Sequence, residues 1–225
     1  MATIFPQEPF RPADDLLLKE LSHRMNNEFA SAIAVVSRAA ARSENKEVKA
    51  TLAAVSDRLL AYAFVHRVLQ MPSDNTEIDA SAYLRQLCEA ISRSKLADQG
   101  IRLAFVDRPL DMDSARCWRL GLIVSELITN AVRHAFDGMG GNIRVELLRS
   151  RSFVECRVSD DGHAVKPIRP GRGLKIVEAL AATLGGTIDY VVGEHGSAAV
   201  LIFPESVGSY SNGRGVGDIS AAAAR

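Results

Sequence analysis

A histidine stands in Glu20-Leu21-Ser22-His23-Arg24-Met25-Asn26-Asn27, near the start of a long stretch with helical periodicity. With Leu18 as reference and ~100° per residue, Leu21, Met25, Phe29, Ala32 and Val36 lie within about 60° of one line. His23 falls about 140° from that line, beside Glu20 and Asn27. A helix that buries one stripe and turns an imidazole to solvent on the other offers the ring as a nucleophile. A surface histidine with no chemical role makes the same pattern.

A second cluster, Glu126, Asn130, Arg133 and His134, recurs at i, i+4, i+7 and i+8 in another helical stretch. Leu122, Ile123, Leu127 and Ile128 take the remaining faces, so one face gathers a carboxylate, an amide and cations. An amide oxygen suits Mg²⁺, which takes hard oxygen ligands and keeps waters beside phosphates. Arginine suits phosphate oxygens directly. An ordinary solvated face reads the same way. Two further segments carry chemistry. Val158-Ser159-Asp160-Asp161-Gly162 ends a strand, where a buried carboxylate can accept a hydrogen bond from an adenine amino group; as local sequence it is also an ordinary turn. Gly171-Arg172-Gly173-Leu174 opens a helix and exposes backbone N–H groups to an anion, or simply gives a flexible helix entrance.

The elements that must position these groups follow from periodicity. One helix is expected from about residue 13 to 42, a polar turn at Ser43-Glu44-Asn45, and a second helix from about 46 to 70. Val48, Leu52, Val55, Leu59 and Tyr62 line one side of the second helix. So short a connection implies an antiparallel hairpin, and a two-helix hairpin buries only one face of each helix. A homodimer forming a four-helix bundle completes it. His66 falls on the apolar line of the second helix and reads as a packed hairpin residue. Met71 to Asn75 reads as a linker.

Beyond it the pattern predicts a helix over 80–98, a strand over 101–106 and a helix from Asp113 or Ser114 to about 136. Strands over 142–148 and 153–159, a helix over 172–184 and a hairpin of 187–192 with 198–203 complete it. The expected fold class is α+β: an N-terminal helical hairpin (13–72), then an α/β sandwich (76–205) with one sheet covered by helices on one face. The Gly/Ser/Ala-rich tail, 206–225, is expected to be disordered.

Composition excludes several classes. Lys plus Arg (27) equals Asp plus Glu (27), so no global field favours nucleic acid or an anionic membrane. No apolar run approaches the ~20 residues of a membrane span. Residues 1–12 lack the basic start and hydrophobic segment of a signal peptide. Cys88, Cys117 and Cys156 show no ligand spacing and read as buried hydrophobes in a reducing compartment, so a cytoplasmic protein is expected. No room for a sensor domain is expected in the stretch before the first helix.

The order of the four segments resembles the sensor histidine kinases, in the HWE-type branch whose phosphoacceptor box reads His-Arg-x-Lys-Asn. Glu20 to Asn27 looks like that box, and Val65-His66-Arg67-Val68-Leu69 looks like the Val-His-x-x-Leu that closes the second helix. Glu126 to Ala135 is similar to the N-box, and Gly173 to Gly186 to the last glycine box, of a GHKL-type ATPase domain. The resemblance covers residues 14–204. It implies His23 as phosphoacceptor, Asn130 as Mg²⁺ ligand and Glu126 as a group that orients or polarises near the metal. It implies Arg133 and His134 toward the phosphates, Asp160 toward adenine, and Gly162, Gly171 and Gly173 shaping the lid over ATP. The implied partners are a response-regulator receiver domain, a second copy of the chain and a separate sensor protein supplying the input.

The sequence departs from the family pattern at named places. Asn26 stands where the branch has lysine, Ala164 where a second glycine follows the Asp-Gly pair, and Arg172 inside the glycine box. The stretch between Gly162 and Gly171 is short and holds Lys166, Pro167, Arg169 and Pro170, which limits backbone adjustment. A kinase phosphorylating His23 from ATP is the first expectation. A histidine phosphotransfer protein on a degenerate kinase fold, passing phosphate between receivers, is the alternative.

Overall fold

A computed structural model of the chain describes residues 12–72, 74–150, 152–163, 171–193 and 195–205. The expected tail (206–225), the stretch before residue 12 and most of the expected lid (164–170) lie outside the described residues.

Two helices, α1 (Pro12–Arg42) and α2 (Lys46–Val68), form the hairpin. Asn45 makes the turn work: its side-chain oxygen accepts from the N–H groups of Glu47 (2.9 Å) and Val48 (3.3 Å), satisfying two donors that the first turn of α2 leaves free. Ser37 and Ser56, hydroxyls 3.1 Å apart, mark the inner seam. The expected stripe of α1 is only partly covered, with Leu21 and Met25 close to half exposed. On α2, Val48 and Val55 are exposed likewise.

The second part holds a five-stranded sheet in the order β2-β4-β5-β7-β6, made by β2 (Ile101–Asp107), β4 (Gly141–Ser150), β5 (Phe153–Asp160), β6 (Thr187–Gly193) and β7 (Gly196–Pro204). β2 runs parallel to β4 and every other pairing is antiparallel. The pleat explains which face is covered. Ile143, Val145 and Leu147 register with Asp160, Val158 and Cys156, and these with Ser197, Ala199 and Leu201. Their apolar members are buried under α3 (Ala80–Ile91), α4 (Ser114–His134) and α5 (Arg172–Thr183), while Arg144 and Arg157 face outward. The fold class is therefore the expected one.

Two features differ from expectation. A two-stranded sheet of β1 (Glu77–Asp79) and β3 (Asp111–Asp113) pairs antiparallel and gives α3 and α4 their N-caps, Asp79 and Asp113. Strands of three residues carry no periodicity to read. The helix expected over 80–98 ends at Ile91, followed by one π-helical turn (Ser92–Leu96) and a 3₁₀ turn (Ala97–Gln99) before Gly100 at φ 66°. The apolar spacing continues through the turn, with Leu96 fully buried, so the pattern alone hides the change of winding.

The hairpin joins the sheet domain through polar contacts at the end of α2. The Trp118 indole N–H donates to the Leu69 carbonyl (2.9 Å), and the Tyr83 hydroxyl to that of Val68 (3.1 Å). Arg58 pairs with Asp98 at 2.5 Å. At the end of the sheet opposite Asp160, buried Arg116 holds the carbonyls of Pro204 and Glu205 with its guanidinium over the Phe203 ring.

Candidate functional site

Strand register brings the separate chemical segments to one end of the sheet. β5 ends at Asp160, opposite Ile143 near the start of β4 and Ser197 near the start of β7. α4 finishes and α5 begins at this same end. Gly162 packs so closely on the Ala135 backbone that a Cβ there would stand 2.6 Å from the Ala135 carbonyl carbon. The His163 N–H donates to the Ala135 oxygen (2.9 Å). The Asp-Gly turn is thus fastened to the end of the helix that carries Asn130, Arg133 and His134.

Gly173 closes the other side. A Cβ on it would stand 2.9 Å from the Glu126 carboxyl carbon and overlap Oε1. A residue of α4 and the first turn of α5, 47 positions apart in sequence, are therefore in contact. Gly171 differs: it is the N-cap of α5, makes no side-chain cap, and a Cβ on it would meet nothing. It leaves the opening N–H groups of α5 uncapped by a side chain, an arrangement that favours an anion.

Asp160 is half-buried on the helix-covered face. Its Oδ1 accepts from the N–H groups of Gly162 (3.1 Å) and Ser197 (3.3 Å), and its Oδ2 from the Ser197 hydroxyl (2.5 Å). An ionised carboxylate has about four lone-pair sites, so capacity remains for a further donor. Ser197 is a site residue that the sequence reading missed. Its signal was the register: it sits directly across from Asp160, which only strand pairing reveals. Asp161 does different work. Its carboxylate accepts from the Asn142 N–H (2.7 Å) and Nδ2 (2.5 Å), which ties β5 to β4 and holds its pKa below the usual carboxylate range.

Asn130 lies one turn beyond Glu126 on α4, and its Nδ2 is buried with no hydrogen-bond partner. A buried, unpaired amide donor is costly unless a partner arrives. Phosphate oxygens supply one, and the carbonyl half of the same amide suits Mg²⁺. Arg133 and His134 are exposed at the open end. The donor set thus fits a Mg-bound polyphosphate: an orphaned amide, uncapped helix amides and a carboxylate set back for a base. Among the described residues no group of three His, Cys, Asp or Glu side chains stands ready for a metal by itself.

His23 is not part of this cluster. It is exposed on α1, flanked by the Arg24–Glu20 ion pair (2.9 Å). His66, by contrast, is half-buried with its ring 6.0 Å from that of Phe29. The three cysteines are free and buried, as composition suggested. Among the described residues no helix is long and apolar enough to cross a membrane.

Comparison with known proteins agrees with this division. Residues 20–95 match the family described as histidine kinase, and residues 118–207 the histidine kinase-, DNA gyrase B- and HSP90-like ATPase family. A sensor histidine kinase of Mycolicibacterium smegmatis, PdtaS, is 28% identical over 209 residues, covering 88% of this chain and 41% of its own length. The chain thus spans about two fifths of that relative. Among solved structures, the histidine kinase domain of the Erythrobacter litoralis EL346 blue-light activated kinase superposes with TM-score 0.54 at 22% identity, over 79% of this chain and 95% of that one. A bacterial phosphotransferase superposes with TM-score 0.60 at 13% identity, over 86% and 98%. At these identities the structural likeness speaks for the fold.

Proposed function

Because the chain belongs to the histidine kinase family, with a phosphoacceptor part followed by a GHKL-type ATPase part, we propose that it phosphorylates His23 from ATP and passes the phosphoryl group to a receiver aspartate. Residues 13–72 are the dimerisation and phosphotransfer hairpin, and residues 76–205 bind ATP. The observation that carries this reading is the convergence of Glu126, Asn130, Asp160, Gly162 and Gly173 at one sheet end, around a buried amide with no partner.

The roles follow from chemistry. Asp160, steadied by Ser197, accepts from the adenine amino group. Asn130 holds Mg²⁺ and a phosphate oxygen, Glu126 orients groups about the metal, and Arg133 and His134 meet the phosphates. Gly171 and Gly173 let the backbone of α5 approach the phosphates. Mg²⁺, when bound, supplies charge neutralisation on the phosphates. A ring nitrogen of His23 donates its lone pair to the γ-phosphorus, and a P–N bond forms. The bond from that phosphorus to the β,γ-bridging oxygen breaks, and ADP leaves with its electron pair. The proton on the other ring nitrogen goes to solvent, which the exposure of His23 permits. Such transfer needs positioning and charge stabilisation more than covalent help from the protein.

A second copy of the chain completes the hairpin. Leu21 and Met25 on α1, with Val48 and Val55 on α2, are apolar side chains that one hairpin leaves exposed, which supports a four-helix bundle. A cytoplasmic protein driven by a separate sensor is consistent with these features. The second reading, phosphotransfer between receivers without ATP, is favoured by Ala164 and by the short Pro167/Pro170 segment.

Incubation with γ-labelled Mg-ATP tests the choice. Acid-labile label on the wild type, absent from His23→Ala and Asn130→Ala, is the expected result. A wild type that stays unlabelled by ATP but takes phosphate from a phosphorylated receiver selects the second reading. Label that survives His23→Ala refutes the acceptor assignment.

A further inference from the structure

One cation near this site has no role in the reading above. Lys95 belongs to the π-helical turn, is half-buried, and directs its ammonium to the Thr129 hydroxyl at 3.3 Å. Thr129 in turn donates to the Ser125 carbonyl (2.8 Å), so it offers Lys95 only a neutral lone pair. Among the described residues no carboxylate pairs with Lys95. A half-buried ammonium with one neutral acceptor is short of an anion. One residue further on, Asn130 carries its buried, unpartnered Nδ2. An ammonium held only by a neutral hydroxyl at position 129 of α4 and an unpartnered amide at position 130 thus stand side by side.

The place on α4 matters as much as the charge. Trp118, Gly121, Ser125 and Thr129 follow one another at spacings of three and four, so they form a single stripe. That stripe meets the end of α2 through Trp118, α3 through Tyr83 against Gly121, and the π-helical turn through Lys95. Glu126 and Asn130 form the neighbouring stripe, turned to α5. Lys95 therefore stands on the boundary between the α5 side of α4 and the side that faces the hairpin. Axially it is also at the right end: the turn leads through Gly100 into Ile101, which registers with Gly141 at the end of the sheet where Asp160 lies. A regular α-helix through 92–96 would advance the side chain differently around the axis, so the change of winding is part of how Lys95 reaches α4.

We propose that Lys95 is a further substrate-binding residue, whose ammonium meets the γ-phosphoryl oxygens of ATP on the hairpin side of Asn130. It makes and breaks no covalent bond. It holds the group that leaves ADP for His23, and its charge offsets that of the equatorial oxygens. This rests on the α4–α5 site being a nucleotide site, but not on ATP being turned over there.

The test is calorimetric titration of the full chain with Mg-AMP-PNP and with Mg-ADP, on wild type, Lys95→Met and Lys95→Arg, with circular dichroism melts to report folding. Lys95→Met is expected to weaken AMP-PNP roughly tenfold and ADP less than twofold, the scale of one hydrogen bond to a charged group. Lys95→Arg should keep most of the preference. Equal weakening of both nucleotides, or of neither, overturns the assignment, as does a wild type that binds neither. Lys95→Gln serves as a second substitution should the methionine variant melt early. A wild type that binds AMP-PNP with a Lys95-dependent preference, yet leaves His23 unlabelled by ATP, sinks the kinase reading and upholds Lys95.

Discussion

Two glycines at the site make close contacts of opposite kinds, and replacing each by alanine separates folding from function. At Gly162 the added Cβ would stand 2.6 Å from both the carbonyl carbon and the Cβ of Ala135, and would overlap the carbonyl oxygen. That obstacle is mostly backbone at the end of α4, fixed by the Ala135 N–H bond to Ala131 (2.8 Å) and by His163 donating to the Ala135 oxygen. It cannot move without breaking hydrogen bonds. Overpacking of this kind costs about 1–3 kcal/mol, or roughly 2–12 °C in Tm for a chain of this size.

At Gly173 the obstacle is the tip of the Glu126 side chain. That tip can swing aside for about 0.5–1.5 kcal/mol of rotamer strain. Alanine in the first turn of a helix returns up to ~1 kcal/mol of backbone entropy. The two terms nearly cancel, so Gly173→Ala should melt within a few degrees of wild type while Glu126 is displaced from its place. Thermal denaturation by circular dichroism, paired with calorimetric titration of Mg-ATP, reads both effects. The expected result is early melting for Gly162→Ala, and for Gly173→Ala near-normal melting with ATP binding weakened at least several-fold. A Gly162→Ala protein as stable as wild type would refute the packing argument. A Gly173→Ala protein that binds ATP normally would refute the role given to Glu126.

Two further outcomes follow from the same geometry. Ser197→Ala removes the hydroxyl that donates to Asp160 Oδ2 at 2.5 Å, a charge-assisted bond of about 1.5–3 kcal/mol; adenine nucleotides should bind roughly tenfold or more weakly, checked against Ser197→Thr, which keeps the donor. Burial pushes the thiols of Cys88, Cys117 and Cys156 up to about 12. At pH 8 the folded chain should therefore alkylate with iodoacetamide at least a hundredfold more slowly than in urea. Unfolded thiols ionise near 8.5, so the contribution these groups make to stability is complete below that pH and fades as pH rises toward 12.

How the site became legible differs residue by residue. Glu126 and Asn130 were readable because both sit on one helix, where a spacing of four puts side chains on one face whatever the rest of the molecule does. The hairpin and the exposure of His23 were readable for the same reason, as were the strands of the main sheet, whose alternation marks one buried face. Ser197 was not readable. Its meaning comes from standing across from Asp160, 37 residues away, and pairing partners are set by the tertiary register. Gly173 was readable as a helix entrance, but its contact with Glu126 depends on how α5 lies against α4.

Lys95 shows the limit most plainly. Local pattern placed it in a continuous helix, where its side chain has no reason to reach α4. The π-helical turn, which packing of Leu96 permits and no apolar spacing announces, brings it to Thr129. Periodic local chemistry thus determined which residues are available: the exposed imidazole, the amide-bearing helix, the carboxylate at a strand end, the glycines at a helix start. Which of them meet was decided by the order of strands in the sheet and the packing of three helices on it. Contacts between residues far apart in the chain exist only once the backbone has closed.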